Sequence, residues 1–295
     1  MRLVVTGKAG QVATALAERG RAAGIAVIAV GRPEFDLSQA EDAETVLSQA
    51  KPDVVVSAAA YTAVDRAETD ADAAWAINAT APGHLAAAAA RLGVPIVHLS
   101  TDYVFEGSKP TPYVETDATG PLGVYGASKL GGEQAVARAT DDYAILRTAW
   151  VYSPFGNNFL KTMLRLGADR PELRVVDDQV GNPTSALDIA DAVIGVARNL
   201  MARPDEASLR GIFHMTGSGE GSWADFACEI FARSAELGGP SPRVTRIATA
   251  DYPTPARRPA NSRMSSALLA KVHGIVMPDW KRSTADTVKR LVAGS

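Results

Sequence analysis

The sequence predicts an α/β fold, a doubly wound parallel sheet followed by a smaller C-terminal α/β domain that shapes a substrate pocket. Three observations predict it. Short β-branched apolar runs alternate with helical stretches, two of these runs are apolar almost throughout, and the first leads into a glycine-containing turn. Strands that are apolar on both faces need helices on both sides of the sheet. Right-handed crossovers then make the sheet doubly wound.

The regular elements are expected mainly in the first half of the chain. Five strands are predicted, near residues 2–6, 26–30, 53–57, 94–99 and 143–148. An alanine-rich helical stretch is predicted over 63–92, bent around Pro82, because proline cannot donate the helical hydrogen bond. Two later helices are predicted over 187–201 and 222–237, the second with Ser222 as its N-cap.

After about residue 150 the alternation weakens, and Pro, Gly and Asn become frequent, which indicates loops around a pocket. We therefore expect a nucleotide-binding domain over 1–150, with 185–202 returning to it. Residues 151–184 and 203–295 are expected to form mainly the substrate domain. A stretch broken by prolines contains three arginines, Arg257, Arg258 and Arg263. This pattern suits either a phosphate-binding loop or a solvated loop.

Composition favours an enzyme with one large core or two unequal ones, because 46% of the 295 residues are hydrophobic and 21% are charged. A net charge of −3 argues against a nucleic-acid partner. Cys228 is the single cysteine, so we expect no intrachain disulfide and a small buried side chain in a reducing compartment. Because the sequence shows no signal-like start and no 18-residue apolar window, we expect a cytoplasmic protein with no membrane partner.

The first strand leads into the turn Gly7-Lys8-Ala9-Gly10-Gln11-Val12-Ala13. Glycines at 7 and 10 let the backbone turn sharply and approach a pyrophosphate, which then lies on the amides at the N-terminus of the next helix. Ala13 stands where the third glycine of this fingerprint usually lies, and alanine is still small enough for close helix–strand packing. The pattern is typical of a Rossmann dinucleotide-binding sheet.

The end of the second strand indicates which dinucleotide binds. An acidic residue usually lies there and bonds the adenosine ribose, whereas this chain has Gly31 and Arg32. A guanidinium pairs well with a 2′-phosphate, so NADPH is favoured, with NADH as the alternative. Asp36 and Leu37 are expected beside the adenine. The third strand ends in three small residues, Ala58, Ala59 and Ala60. Their size indicates either a cofactor lying against the backbone or close packing.

Tyr125 and Lys129 are four residues apart, which places both side chains on one face of a helix. There a lysine ammonium can hold a phenol near ionisation, so the pair is suited to proton transfer. Because such a spacing also arises by chance, its meaning depends on the surrounding motifs.

Together these motifs make the chain resemble the extended short-chain dehydrogenases/reductases, and within them the reductases of dTDP-linked 4-keto sugars. The resemblance covers nearly the whole chain. It rests on Gly7 to Val12, Ala58 to Asp65, Ser100 to Phe105, Tyr125 to Lys129, Arg147 to Tyr152, Tyr252 to Pro255 and Arg258 to Ser262.

The resemblance implies that the 4-keto group of dTDP-4-dehydro-β-L-rhamnose is reduced with NADPH to give dTDP-β-L-rhamnose. It implies that Tyr125 donates the proton, that Lys129 also holds the nicotinamide ribose, and that Thr101 donates a second hydrogen bond. The implied cofactor contacts in the first turn include Gln11 and Val12. The implied substrate contacts are Thr101, Asp102, Trp150, Asn158 and Arg258, although Trp150 could instead be an ordinary core residue.

Some members of this family dimerise through glutamates around Mg²⁺, but the aligned positions here are Ala15 and Leu187, which cannot bind a hard cation. We therefore expect no metal, and either a monomer or a dimer that no metal bridges. A dehydratase is disfavoured, because it would carry glutamate where this chain has Tyr103. Another nucleotide-sugar 4-reductase or an epimerase remains an alternative. So does a non-catalytic NADPH-binding regulatory subunit, although the intact catalytic residues argue against it.

Overall fold

The computed structural model describes residues 1–294. Its strands are β1 (Arg2–Thr6), β2 (Ala26–Val30), β3 (Val54–Ser57), β4 (Ile96–Thr101), β5 (Tyr143–Thr148), β6 (Val151–Tyr152), β7 (Glu172–Val176), β8 (Val180–Gly181), β9 (Thr184–Ser185), β10 (Gly211–His214), β11 (Gly221–Ser222) and β12 (Arg243–Ile247). Its α-helices are α1 (Gln11–Ala22), α2 (Ala43–Ala50), α3 (Val64–Ala67), α4 (Ala71–Trp75), α5 (Ala81–Leu92), α6 (Val124–Ala139), α7 (Phe159–Asp169), α8 (Ala186–Ala202), α9 (Trp223–Glu236), α10 (Ala267–His273) and α11 (Trp280–Val292).

The main sheet has six strands in the order β10-β5-β4-β3-β1-β2, and all neighbours in it are parallel. The five predicted strands and the doubly wound fold class are confirmed. The sixth strand, β10, was not predicted, because its four residues Gly211–His214 contain only two large apolar side chains. Its place at the edge beside β5 is set by packing with distant parts of the chain.

Alternate residues of each strand point to opposite faces of the sheet, and each face is covered by helices. On one face α1 and α8 pack against Leu3, Val5 and Leu99. On the other face α2, α5 and α6 enclose Val4 and Val55. The helix predicted over 187–201 is therefore α8, and it packs on the main sheet.

A second packing centre lies beside the main sheet. Helices α7, α9 and α11 bury Tyr152, Phe226 and Trp280 in it, and the parallel pair β7–β12 contributes Leu173 and Val175. The helix predicted over 222–237 is α9, and Ser222 caps it in a reciprocal capping box with Asp225. The predicted domain boundaries stay a prediction.

The predicted helical stretch over 63–92 is interrupted. After α3 the chain runs from α4 through a π-helical segment, Ala76–Thr80, into α5, where Pro82 occupies the first turn. Pro82 has no N–H to donate to the carbonyl of Asn78 four residues earlier. That carbonyl faces helix α6, where Gly132 leaves room for it. The expected bend at Pro82 thus takes the form of a π turn just before it.

We expect Gly132→Ala to destabilise the protein by about 1–3 kcal/mol, because an added Cβ would lie 2.1 Å from the Asn78 carbonyl oxygen. Urea unfolding checks this through the midpoint at constant slope. Gly83→Ala in the facing helix α5 is the matched control, since its Cβ would meet the Ala135 methyl at 3.1 Å. Equal losses in both variants would contradict a specific clash at Asn78.

Cys228 is exposed on α9, so its expected burial is wrong. The buried residues of α9 include Phe226, Ala227 and Ile230, and Cys228 points away from the face they form.

Across residues 1–294 no helix is long and apolar enough to cross a membrane.

Candidate active site

The turn after β1 is built to approach a ligand. Gly7 has φ +95°, which glycine tolerates, and a Cβ there would lie 3.2 Å from the Ala59 methyl. Gly10 is the N-cap of α1, and no side chain caps this helix. Nothing lies within 4 Å of the position a Gly10 Cβ would take. This cradle fits a dinucleotide pyrophosphate, while Val12 packs on the core below it.

The end of β3 lies directly beside this turn. The amides of Ala58 and Ala59 both donate to the Thr6 hydroxyl oxygen, at 3.0 and 3.1 Å. Residues 58–60 are half-buried, and Ala59 lies against Gly7 of the predicted cofactor turn. Close packing and cofactor contact are therefore compatible readings of the same three alanines.

At the end of β2, Gly31 is buried and Arg32 is exposed. Asp36 lies a few residues on, where its Oδ1 accepts from the amide and hydroxyl of Ser38, both at 2.9 Å. These hydrogen bonds lower the pKa of Asp36. Asp36 thus caps the short 3₁₀ segment Leu37–Asp42, and the adenine contact of Asp36 and Leu37 stays a prediction.

Thr101 ends β4 and its hydroxyl donates to Oδ1 of Asp102 at 2.9 Å, whereas the family resemblance implies donation to substrate or to Tyr125. Asp102 is only 2% exposed, and among residues 1–294 its Oδ2 has no hydrogen-bond partner of normal geometry. Burial raises the pKa of Asp102 to about 6, although the Ser262 and Thr101 hydroxyls oppose the shift.

Tyr125 lies in the first turn of α6, where its ring packs edge-to-face on Tyr103 with centroids 5.3 Å apart. Burial raises the pKa of Tyr125 to about 12; a hydrogen bond with Thr101 opposes this shift, and the charge of Asp102 adds to it. The phenol is therefore fully protonated at neutral pH. Thr101 and Tyr125, predicted as catalytic from separate motifs, meet at the carboxyl end of β4.

Lys129 is 3% exposed, and its Nζ donates to the Leu99 carbonyl oxygen at 2.6 Å. Burial lowers the pKa of Lys129 to about 8, while the charge of Glu133 opposes this. We expected its ammonium to hold Tyr125 near ionisation, and the structure differs. Its ammonium donates to the main chain, and desolvation of the phenol dominates the pKa of Tyr125.

Trp150 follows β5 with φ +48°, and its ring stacks on Trp223 with centroids 3.6 Å apart and 8° between the planes. Gly181 lies against this ring, since a Cβ there would be 2.6 Å from it. Trp150 is half-buried, so it is not a fully buried core residue, and its substrate contact stays a prediction. Trp223 was missed in the sequence, where it appears only as an apolar residue after the N-cap Ser222.

Asn158 joins the two packing centres. Its Oδ1 caps α7, and its Nδ2 donates to the Gln11 side-chain oxygen at 2.9 Å and to the Ser153 carbonyl oxygen at 2.8 Å. Gln11 Oε1 also accepts from the Ser153 hydroxyl at 2.7 Å. Gln11 thus links the cofactor turn to the loop before α7. The substrate contact expected for Asn158 stays a prediction.

The three arginines of the proline-rich stretch do not act as one cluster. Arg258 makes a two-pronged contact with Asp65, at 3.1 and 3.0 Å, which raises the pKa of the guanidinium. Arg263 pairs instead with Glu220 at 3.0 Å, and Arg257 is exposed. Asp65 ends the motif Ala58 to Asp65, but its partner lies 193 residues away and could not be inferred from the sequence.

Within residues 1–294, no group of three or more His, Cys, Asp and Glu side chains is placed to hold a metal ion. Ala15 is fully buried and Leu187 is half-buried against the same core. A dimer without a metal bridge stays a prediction.

A family model described as the RmlD substrate binding domain matches residues 1–293. The dTDP-4-dehydrorhamnose reductase of Sinorhizobium fredii is 52% identical over 292 residues, covering 99% of this chain and 98% of that protein. A crystal structure of the corresponding protein from Clostridium acetobutylicum has a TM-score of 0.89 at 39% identity, with 99% of each chain covered. One from Bacillus anthracis, in complex with NADP, has a TM-score of 0.88 at 32% identity, covering 100% of this chain and 99% of that one.

Proposed function

We infer the function from one premise: the chain belongs to the dTDP-4-dehydrorhamnose reductases. It is an oxidoreductase that reduces the 4-keto group of dTDP-4-dehydro-β-L-rhamnose to dTDP-β-L-rhamnose, the last step of dTDP-L-rhamnose biosynthesis. The family resemblance read from the motifs is confirmed. The observation that carries the proposed mechanism is that Tyr125, protonated at neutral pH, lies beside Thr101 at the carboxyl end of β4.

The cofactor cradle supports NADPH as the reductant. When bound, the cofactor supplies the hydride that reaches C4 of the sugar. The uncapped amides at Gly10 and Gln11 would hold its pyrophosphate, since that helix N-terminus carries no competing side chain. Exposed Arg32 would pair with the 2′-phosphate. Lys129, whose Nζ donates to a main-chain carbonyl here, would donate to the nicotinamide ribose.

Tyr125 would donate its proton to the alkoxide that develops on the sugar oxygen. A phenol with a pKa of about 12 holds its proton at neutral pH, which suits an acid acting in the reductive direction. Thr101 would donate a second hydrogen bond at the sugar oxygen, and for this its hydroxyl must turn from Asp102, to which it donates here. Lys129, still largely cationic at pH 7 with a pKa of about 8, would stabilise the phenolate left behind.

The substrate would lie at Tyr125 and would also contact Asp102, Trp150 and Arg258. The Trp150–Trp223 stack offers a flat apolar wall for a sugar or base. Arg258 would meet the diphosphate, and for this it must share or leave its contact with Asp65. Asn158 would act at the edge of the pocket, through the loop it holds.

The decisive experiment measures NADPH oxidation with freshly made dTDP-4-dehydro-L-rhamnose and identifies the product by mass and NMR. Oxidation matched by dTDP-L-rhamnose supports the assignment. A product with the opposite C4 configuration would show a different 4-reductase, and sugar inversion without net oxidation would show an epimerase. Tight NADPH binding without any turnover would favour the regulatory-subunit alternative.

We expect Arg32→Ala to raise the KM for NADPH roughly tenfold and to leave the KM for NADH almost unchanged, because only NADPH carries the 2′-phosphate. Steady-state kinetics with both cofactors checks this. Arg21→Ala, which removes another exposed arginine near the end of α1, is the matched control. Equal effects on both cofactors would mean that Arg32 does not contact the 2′-phosphate.

We also propose a monomer, or a dimer that no metal bridges, in the cytoplasm. Sedimentation with and without a chelator tests the first part, since a metal-bridged dimer would dissociate when the chelator is added.

A further inference from the structure

A buried network of charged side chains lies next to Lys129, and no step of the proposed reaction uses this network. Glu133 and Arg147 are 3% and 2% exposed. Arg147 donates from Nε to Oε1 of Glu133 at 2.9 Å and from Nη2 to Oε2 at 2.7 Å. The Ser100 hydroxyl adds a third hydrogen bond to Oε1, at 2.5 Å. The carboxylate is thus clamped on both oxygens.

The elements place this carboxylate beside the lysine. Tyr125, Lys129 and Glu133 follow one another at intervals of four residues, so they share a face of α6. Opposite them, Ser100 of β4 pairs in register with Arg147 of β5, and the preceding carbonyl in β4, that of Leu99, accepts from Lys129. The lysine and the clamped carboxylate therefore dock on adjacent positions of the same strand.

Stability alone is a weak account of this network. For a buried ion pair, the free energy of desolvation is about as large as the free energy gained from attraction. A well-packed apolar pair of similar volume can often replace it without loss of stability. An apolar pair, however, could not supply a negative charge near the Lys129 ammonium. This ammonium is buried, and its one hydrogen bond within residues 1–294 goes to a neutral carbonyl.

We propose that Glu133, clamped by Arg147 and Ser100, is a positioning residue that acts through Lys129 and keeps its ammonium charged. The proposal rests on the role of Lys129 in the proposed function. Arg147 and Ser100 act by fixing the carboxylate, and Glu133 acts by its charge on the ammonium.

The other titratable groups around Lys129 do not supply this charge. His98 on β4 is buried and bonds Ser57 through Nδ1 at 3.0 Å; burial and the lysine charge hold its pKa far below 6.5, so it is neutral. Tyr125 on α6 stays protonated. Asp102 after β4 acts on Tyr125, whereas the charge that opposes the desolvation of Lys129 is that of Glu133.

The test is direct titration of the Lys129 side chain by NMR in full-length protein with labelled lysine, the resonance being assigned with Lys129→Arg. In Glu133→Gln we expect the pKa of Lys129 to fall by about one unit. That variant leaves Arg147 buried and unpaired, which can prevent folding. Glu133→Gln/Arg147→Gln removes both charges, and the same direction of shift is expected, since the charge acting on Lys129 is that of Glu133.

Glu229→Gln is the matched control, because it breaks the ion pair with Arg233 on α9 and should leave Lys129 unchanged. A folded double variant with an unchanged pKa of Lys129 overturns the proposal. Turnover is read separately: the alkaline limb of kcat/KM should move to lower pH by the same amount. A shifted pKa with an unmoved limb would support the effect of Glu133 and exclude Lys129 from the proton step, which separates the two proposals.

Discussion

Replacing Tyr125 with phenylalanine should lower turnover by about 10²-fold or more and leave NADPH binding nearly unchanged. The substitution removes the one hydroxyl placed to give up a proton and keeps the ring that packs on Tyr103. The loss belongs to the chemical step, so kcat should fall while the dissociation constant for NADPH, measured by fluorescence, stays the same.

Tyr143→Phe provides the control, because this tyrosine begins β5 away from the predicted cofactor cradle and should retain normal turnover. If Tyr125→Phe reduced dTDP-4-dehydro-L-rhamnose at a near-normal rate, the proton would come from another donor. Thr101 would then be the first alternative, because its hydroxyl lies beside that of Tyr125.

Asp102→Asn should make the protein more stable at neutral pH, by an amount that grows as pH rises. Burial raises the pKa of Asp102 from 3.8 to about 6, so in the folded protein the neutral form is favoured. The contribution of this group to stability is complete below pH 3.8 and is lost as pH rises through 6. Between about pH 4.5 and about pH 7.5, the free energy of unfolding of the variant should gain about 2 kcal/mol over wild type.

Urea unfolding at the two pH values measures this difference. Asp225→Asn is a control of opposite sign, because hydrogen bonds with Ser222 and Arg246 lower the pKa of Asp225. Its ionised form stabilises the fold above its unfolded pKa, so this variant should lose stability relative to wild type as pH rises. A difference at Asp102 that does not vary with pH would mean that its carboxyl titrates normally.

Residues that act locally could be predicted from the sequence. Strands β1 to β5 are short, mainly apolar runs, and the turn at Gly7 and Gly10 needs only neighbouring residues, so both could be predicted. Ser222 could be identified as a cap for the same reason. The Tyr125–Lys129 spacing also lies within one helix, and it led directly to the centre of the site.

Contacts between distant segments could not be predicted. Trp223 stacks on Trp150 only because α9 packs over the loop after β5. Arg147 reaches Glu133 only because β5 lies beside β4 under α6. The spacing predicts that the pKa of Tyr125 falls, because it shows the charge of Lys129 but does not show that desolvation of the phenol in the fold outweighs that charge.

The two packing centres are not consecutive stretches of chain. Residues 152–175, 224–231 and 280–288 build the centre beside the sheet, whereas 186–215 and 269–277 return to the sheet itself. A recombination event with one crossover point between residues 176 and 223 would therefore cut through both cores. Exchange of sugar specificity between relatives requires several matched junctions, so point substitutions around the pocket are the accessible route for evolution and for engineering.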